Sequence, residues 1–496
     1  MKKSCKAIVI LIFICFGTTG LAQNIHFVKS FGNTGYDFGR DVKQTKDTGF
    51  VVTGSSSSFI SADADAFLLK TDSLGNFEWS YNYGGSGSDW GESLTITYDS
   101  AYAIGGYTNS FGAGGFDFYF VRTNQLGVPT IEKTYGGSNW DKCYGIASIP
   151  ADSGFVLVGE TYSFGAGGKD IYVVRINQFG DTIWTKTFGG LLDDYAKEVI
   201  VDGDSIVVCG ATELGGAQMD DGIILKLGLD GTVGWQKIVG MAQDDYFTSI
   251  VRAGGFYCLG GSKSYSYSTD YADFWVYKIS VDGLTVLGDT TWNGDQLGFD
   301  IVNDIAVEMP INVVYYAGST TSWGSIDVVD GITDCFISKL DFGYGWMPYV
   351  QNFGDVGTDV LYAVELCYDN GLIAVGDLER SSTGGNNVLL VKIDANNSFG
   401  YISLFDDVTY ENITLSINSI SEEKQISIYP NPTDGIVHIN GFDTMYSLRV
   451  LNIMGQEIEY HKNHPGEIDL RNYQNGTYII EISSNENRYI YKILKF

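Results

Sequence analysis

Apolar and polar positions alternate along this chain in short runs, and the runs come in sets of four. In one part of the chain "ESLTITYDS" alternates. In the next, "GFVLVGE" is an apolar run ending in Gly, "DIYVVRIN" is a second apolar run, and "DTIWTKTF" alternates again, with Gly, Asp, Asn and Ser between the runs. Runs of this length with period two predict β-strands rather than helices. The sets recur at a regular interval. An aromatic or bulky apolar residue, followed by Gly or a near equivalent, stands at Phe31, Tyr83, Tyr135, Phe188, Val239, Trp292 and Phe353, in steps of 52, 52, 53, 51, 53 and 61. Part of one unit, "SFGAGGFDFYFVRTNQLG" from Ser110, returns at Ser163 as "SFGAGGKDIYVVRINQFG", with 13 of 18 positions identical.

Seven units of about fifty residues, each a four-stranded sheet unable to bury both faces alone, predict an all-β ring of seven blades packed face to face. Residues 24–406 resemble bacterial seven-bladed β-propeller repeats, and the propeller is expected to span 23–406. Two segments compete to supply the last strand of the seventh blade, "IHFVKSFG" at Ile25–Gly32 and "YISLFDD" at Tyr401–Asp407. Closure by the N-terminal segment ties both chain ends together and removes exposed sheet edges, so it is the expected arrangement. Only seven sets of the other three strands are present, which argues against an eighth blade.

The period ends before the last seventy residues. A connector at 407–425 is followed at 426–496 by short alternating segments separated by turns, the pattern of a small Ig-like β-sandwich. Here "ISIYPNPTDGIVHI", "YSLRVLNIMGQEI", "IDLRNYQNGTYIIEI" and "YIYKILKF" resemble the C-terminal sorting domain of type IX secretion cargo. The matching positions are Tyr429, Pro430, Asn431, Pro432 and Gly435, then Asn452, Gly455 and Gln456, then Leu470, Gly476 and Tyr478, then Lys492. The resemblance implies that the type IX machinery is a partner and that the chain crosses the outer membrane. The family's sorting domain is usually removed, and the cargo is released or attached to surface lipopolysaccharide.

Composition agrees with an exported protein. Residues 1–22 read as a signal peptide, with Lys2, Lys3 and Lys6 before the apolar "AIVILIFICF" and small residues Gly20 and Ala22 at the cleavage positions. Ile14 before Cys15 does not fit a lipid attachment site. No later apolar run approaches the ~20 residues of a membrane helix. The formal charge is -30, and -33 without the three leader lysines. Such a surface repels phosphate backbones, which excludes nucleic acid as a partner. Five cysteines remain, Cys143, Cys209, Cys258, Cys335 and Cys367, scattered over different units and mostly in strand-like contexts, the pattern of buried free thiols.

Two acidic series follow the repeat. Six residues past each anchor stand Asp37, Asp89, Asp141, Asp194, Asp245 and Asp359, with the Trp292 unit lacking one. Five residues before the basic residue of the third strand stand Asp65, Asp117, Asp170, Asp221, Asp273, Asp334 and Asn387. Both series are expected on one face, with the first at the mouth of the central channel. An Asp at every strand entrance fixes a turn by accepting backbone N–H groups. No cofactor is called for. Clustered carboxylates could otherwise hold Ca²⁺, although no EF-hand loop is present.

Departures from the repeat point to a ligand face. The loops between strands two and three are longest in units five and six, where Tyr265, Tyr267, Tyr271, Trp323, Asp327 and Asp330 interleave aromatic rings and carboxylates. Such loops suit stacking and hydrogen bonding to a glycan or a protein segment. Of four histidines only His26 lies in the propeller, which excludes a Ser-His-Asp arrangement or a histidine-ligated metal in the ring. The expected function is a secreted or cell-surface, non-enzymatic binding module. The alternative is an extracellular carbohydrate-active enzyme using propeller carboxylates.

Overall fold

The computed structural model describes residues 27–33, 35–58, 63–213, 219–240, 243–264, 272–292, 298–308, 313–321, 333–341, 346–353, 357–379, 385–393, 409–411, 427–429, 436–440, 447–452, 457–461, 467–483 and 488–495. Two compact units divide the chain, Met1–Leu415 and Ser416–Phe496.

The first unit is a seven-bladed propeller. Blade one is made of Asp37–Gln44, Phe50–Ser56, Asp65–Thr71 and Phe77–Tyr83 in that order. The next five blades repeat this antiparallel order, and their first strands are Asp89–Ile96, Asp141–Ile149, Asp194–Asp202, Asp245–Ala253 and Asp300–Glu308. Blade seven has Val360–Leu366, Leu372–Glu379 and Asn386–Ile393, and its fourth place is filled by Phe27–Phe31. Phe27 pairs with Lys392 and Phe31 with Val388, so the N-terminal segment closes the ring. Tyr401–Asp407 lies outside the described residues. Within the stretch expected to be a connector, Thr409–Glu411 instead forms a fifth strand parallel to Phe27–Phe31.

First strands of successive blades pack on one another, and blade one packs on blade seven, so they form the inner wall. Second strands lie between neighbouring blades and are buried throughout, as in Phe50–Ser56 and Gly154–Thr161, which explains their unbroken apolar runs. Fourth strands such as Val233–Val239 alternate at the outer edge. The core is therefore layered between blades: Val156, Val158 and Val173 of blade three meet Val208, Ile223 and Leu225 of blade four in one cluster. Cys143, Cys209, Cys258, Cys335 and Cys367 are all buried and in no disulfide.

The twice-written "SFGAGG" is a packing device. A β-carbon at Gly112 or Gly165 would stand 2.0 Å from Asp117 or Asp170 respectively, and one at Gly115 would stand 2.0 Å from Trp140. The loop lies flat on its neighbour because it has no side chains there.

In the C-terminal unit, Ser427–Tyr429, Ile436–Asn440 and Glu467–Asp469 form one sheet. Glu457–His461, Ser447–Asn452, Gly476–Ser483 and Arg488–Lys495 form another. Val437, Ile439, Leu448, Val450, Ile468, Leu470, Tyr478 and Ile480 fill a shared core. Of the sorting positions, Gly476, Tyr478 and Lys492 lie on the last hairpin, where Gly476 pairs with Lys495 and Ile479 with Lys492. Pro430, Asn431, Pro432, Gly435 and Gly455 lie outside the described residues.

Candidate functional site

Every first strand carries a β-bulge at the same register. The pairing shifts between Gly39 and Asp41, Gly91 and Ser93, Cys143 and Gly145, Ala196 and Glu198, Phe247 and Ser249, Val302 and Asp304, and Leu361 and Ala363. The extra residue is Arg40, Glu92, Tyr144, Lys197, Thr248, Asn303 or Tyr362, in blade order. All seven are polar and half-buried. A bulge re-aims a side chain, and here it does so at the same place in all seven inner strands.

The glycine that ends each second-strand run makes the bulge feasible. A β-carbon at Gly54, Gly106 or Gly318 would stand 1.8 Å from the carbonyl oxygen of Phe38, Trp90 or Ile301, and the equivalent glycines of the other four blades are as tight. The bulge also frees a backbone N–H just beyond it. The preceding blade supplies the acceptor: Asp41 takes the N–H of Leu94 at 2.7 Å, Glu198 that of Ile250 at 2.6 Å and Asp304 that of Val364 at 2.8 Å. These carboxylates latch inner strands together.

The ring of bulged residues has two kinds of arc. In blades five and six the bulged side chains tie to the next blade, with Thr248 Oγ1 donating to the Val302 carbonyl and Asn303 Nδ2 to the Leu361 carbonyl. In blades seven and one to four they meet one another. The Arg40 guanidinium lies 3.9 Å from the Tyr362 ring centroid, 3.8 Å from Glu92 and 3.5 Å from Asp377. Burial works against its charge, but Asp377 and Glu92 hold its pKa above the ordinary value. Burial pushes Asp377 up to about 7 against the pull of Arg40. Burial likewise raises Glu198 and Asp304, and each feels the charge of a neighbouring carboxylate.

Above this arc runs an aromatic array. Tyr36, Phe38, Trp90 and Tyr107 are stacked in sequence at 6.3, 5.7 and 5.9 Å. Phe116 stands edge-on to Tyr107 at 5.2 Å and to Trp140 at 5.7 Å. The Lys142 ammonium sits in the cage formed by Tyr107, Phe116 and Trp140, at 5.1, 5.2 and 5.3 Å. Lys197 lies over Tyr144 at 4.4 Å and Tyr195 at 5.1 Å. Phenols occupy the carboxylates between them: Tyr144 donates to Glu160 at 3.0 Å and Tyr195 to Asp220 at 2.6 Å. Tyr36, Trp140 and Tyr162 are 56%, 54% and 45% exposed, so the array is open to solvent on blades one to three.

The six residues expected to bind ligand, Tyr265, Tyr267, Tyr271, Trp323, Asp327 and Asp330, lie outside the described residues. The array on blades one to four was not anticipated. Its signal is the residue after each first-series Asp, namely Phe38, Trp90, Lys142, Tyr195 and Tyr246. The first Asp series does not line the channel mouth as expected. Its members are at most 1% exposed because they hold the turns. Asp89 accepts from Thr108, from Ser110 Oγ at 2.7 Å and from the Gly85 N–H at 2.8 Å, and Asp141 repeats the set with Thr161, Ser163 and Gly137. The sixth unit does have its member, Asp300, which accepts from Thr320 Oγ1 at 2.6 Å. The loop before it is two residues longer, so the spacing count missed it. The two series do meet, since Asp117 and Asp141 flank Gly136 and Asp170 and Asp194 flank Gly189. Among the described residues, no three His, Cys, Asp or Glu groups gather closely enough to hold a metal.

Fold and terminal domain together define an exported seven-bladed propeller. Residues 427–495 match the family of secretion system C-terminal sorting domains, the address for type IX delivery to the cell surface or beyond. Among curated proteins none matches this chain. Solved structures with a similar course include PorZ, described as an essential surface component of the type IX secretion system of Porphyromonas gingivalis, at 13% identity and a TM-score of 0.43 over 94% of this chain and 60% of that one. This chain thus spans less than two thirds of the length of PorZ. Others are the β-propeller domain of the Trilobed protease from Pyrococcus furiosus, at 10% identity and 0.41 over 74% and 98%, and Sqt1 of Chaetomium thermophilum, at 15% and 0.42 over 76% and 99%. Among the described residues no helix is long and apolar enough to cross a membrane.

Proposed function

We propose that the exported propeller is a non-enzymatic binding module that holds an extracellular glycan or protein segment against the aromatic face of blades one to four. The observation that carries this reading is the exposed, rigidly held Trp140. Gly115 presses on its edge, Phe116 stands perpendicular to it, and more than half of the side chain stays open to solvent. A large ring fixed in place but left exposed offers apolar contact at little entropic cost, as in the aromatic anchors of other interfaces. The inner-wall carboxylates support binding rather than hydrolysis, because Asp41, Glu198 and Asp304 hold backbone N–H groups of the next blade.

A screen of glycans and outer-surface proteins with the purified propeller tests the reading. Trp140→Ala and Tyr36→Ala should each weaken the captured interaction about tenfold, roughly 1.4 kcal/mol, with the melting temperature unchanged. Undiminished binding by both variants would move the site elsewhere. Turnover of a glycan, abolished by Glu198→Gln, would establish the enzymatic alternative.

A further inference from the structure

The polar groups of the aromatic face are unevenly satisfied. Its acids are occupied: Glu160 accepts from Tyr144 and pairs with Lys169 at 3.2 Å, Asp220 accepts from Tyr195, and Glu92 faces Arg40. Two of its bases are not. Lys142 and Lys197 are half-buried, and among the described residues neither ammonium has a carboxylate within 4.0 Å or donates a hydrogen bond to an oxygen; both rest on ring faces. Most other half-buried or buried cations of the propeller have carboxylate partners, as Lys70, Arg175, Lys263 and Lys392 do. Burial holds the Lys197 pKa below its ordinary value, against the more distant pull of Glu160, Glu92 and Asp220. An ammonium carries three donors and no acceptor, so this face lacks hydrogen-bond acceptors.

We infer that the ligand of this face is an acidic saccharide, with carboxylate groups received by Lys142 and Lys197 and sugar rings laid against Trp140 and its neighbours. The inference rests on the binding role proposed above and specifies its ligand. A pyranose offers both parts that the face can use, a flat C–H surface for exposed rings and a carboxylate for unpaired ammonium groups. The propeller is strongly acidic and repels anions at long range, but at physiological ionic strength that field is screened beyond ~8 Å, leaving contacts at the face to decide.

The test compares an oligogalacturonate with the same oligosaccharide fully methyl-esterified, which keeps the rings and removes the charge. By titration calorimetry the full propeller should bind the acid at least tenfold more tightly than the ester. Lys142→Met with Lys197→Met should abolish that preference while leaving the weaker binding of the ester, and Lys142→Arg with Lys197→Arg should restore it. A melting temperature equal to that of the parent in the Arg pair provides the folding control. Equal binding of acid and ester would overturn the acidic-ligand inference and leave the binding face standing. Binding of neither form, alongside capture of a protein segment that Trp140→Ala abolishes, would overturn the saccharide class alone. Failure of every probe, with Trp140→Ala without effect, would overturn both readings.

Discussion

Gly106 lies against the carbonyl of Trp90 so closely that a β-carbon on it would stand 1.8 Å from that oxygen. The bulge of blade two depends on this contact, because Gly91 and Ser93 both have to find partners on a strand that has no residue to spare between Gly105 and Gly106. Gly106→Ala should therefore force the inner strand outward and cost about 1–3 kcal/mol, in the range of overpacked interiors. Gly255→Ala is the control, since nothing lies within 4 Å of its would-be side chain. A drop of several degrees in melting temperature for the first variant and almost none for the second is the expected result. Equal effects would show that the glycine is not what makes room for the bulge.

Closure of the ring is tested by removal of residues 25–32. The Asn386–Ile393 edge then loses all five pairings from Phe27 to Phe31, and the buried side chains Val28 and Phe31 leave the seam. The expected outcome is a lower melting temperature together with concentration-dependent association, because an open sheet edge recruits another strand. A truncated protein that stays monomeric and equally stable would contradict the assigned seam.

The seam between blades seven and one also carries a pH dependence. Asp377 accepts the Gly39 N–H at 3.0 Å and faces Arg40, yet burial raises its pKa to about 7, and burial raises Glu365, which accepts the Gln44 N–H further along the same seam, to about 7 as well. Carboxyls in the unfolded chain titrate near 4. The native state therefore binds more protons between the two values, and stability falls as pH rises from about 4 to 7. Asp377→Asn with Glu365→Gln should flatten that slope. A melting temperature that climbs across the same window in the parent protein would refute the assignment.

Delivery depends on the terminal domain. A chain ending at Leu415 retains every described strand of the propeller and lacks residues 427–495, which match the sorting-domain family. It should fold and accumulate in the periplasm, as cell fractionation would reveal. Normal arrival at the surface would show that the address lies elsewhere.

The count of blades and their strand order were written in the chain as period two nested in a period near fifty, and the terminal domain as short alternating segments after that period stops. The bulges were not. A single inserted residue disturbs the alternation by one place, and "RD", "ES", "KE", "TS" and "ND" at the bulge read as ordinary polar positions of a half-exposed strand. The seven glycines opposite them were visible, but their reason is a distance to another strand's carbonyl, which no spacing in one strand reveals. Attention to long loops pointed to blades five and six, where the expected ligand residues lie outside the described residues. The array on blades one to four is assembled instead from repeat positions that keep their place and change their identity, such as Phe38, Trp90 and Lys142.

Placing Thr409–Glu411 on the outside of the closing strand has a mechanical consequence. The segment that leads to the sorting domain is held to the ring by three residue pairs, whereas Phe27–Phe31 is held to Asn386–Ile393 by five. Tension applied from the C-terminus meets the shorter attachment first. That short strand can peel away like a tab and leave the five-pair seam unloaded, so traction on the address, or its removal, can act on the chain without pulling the ring open.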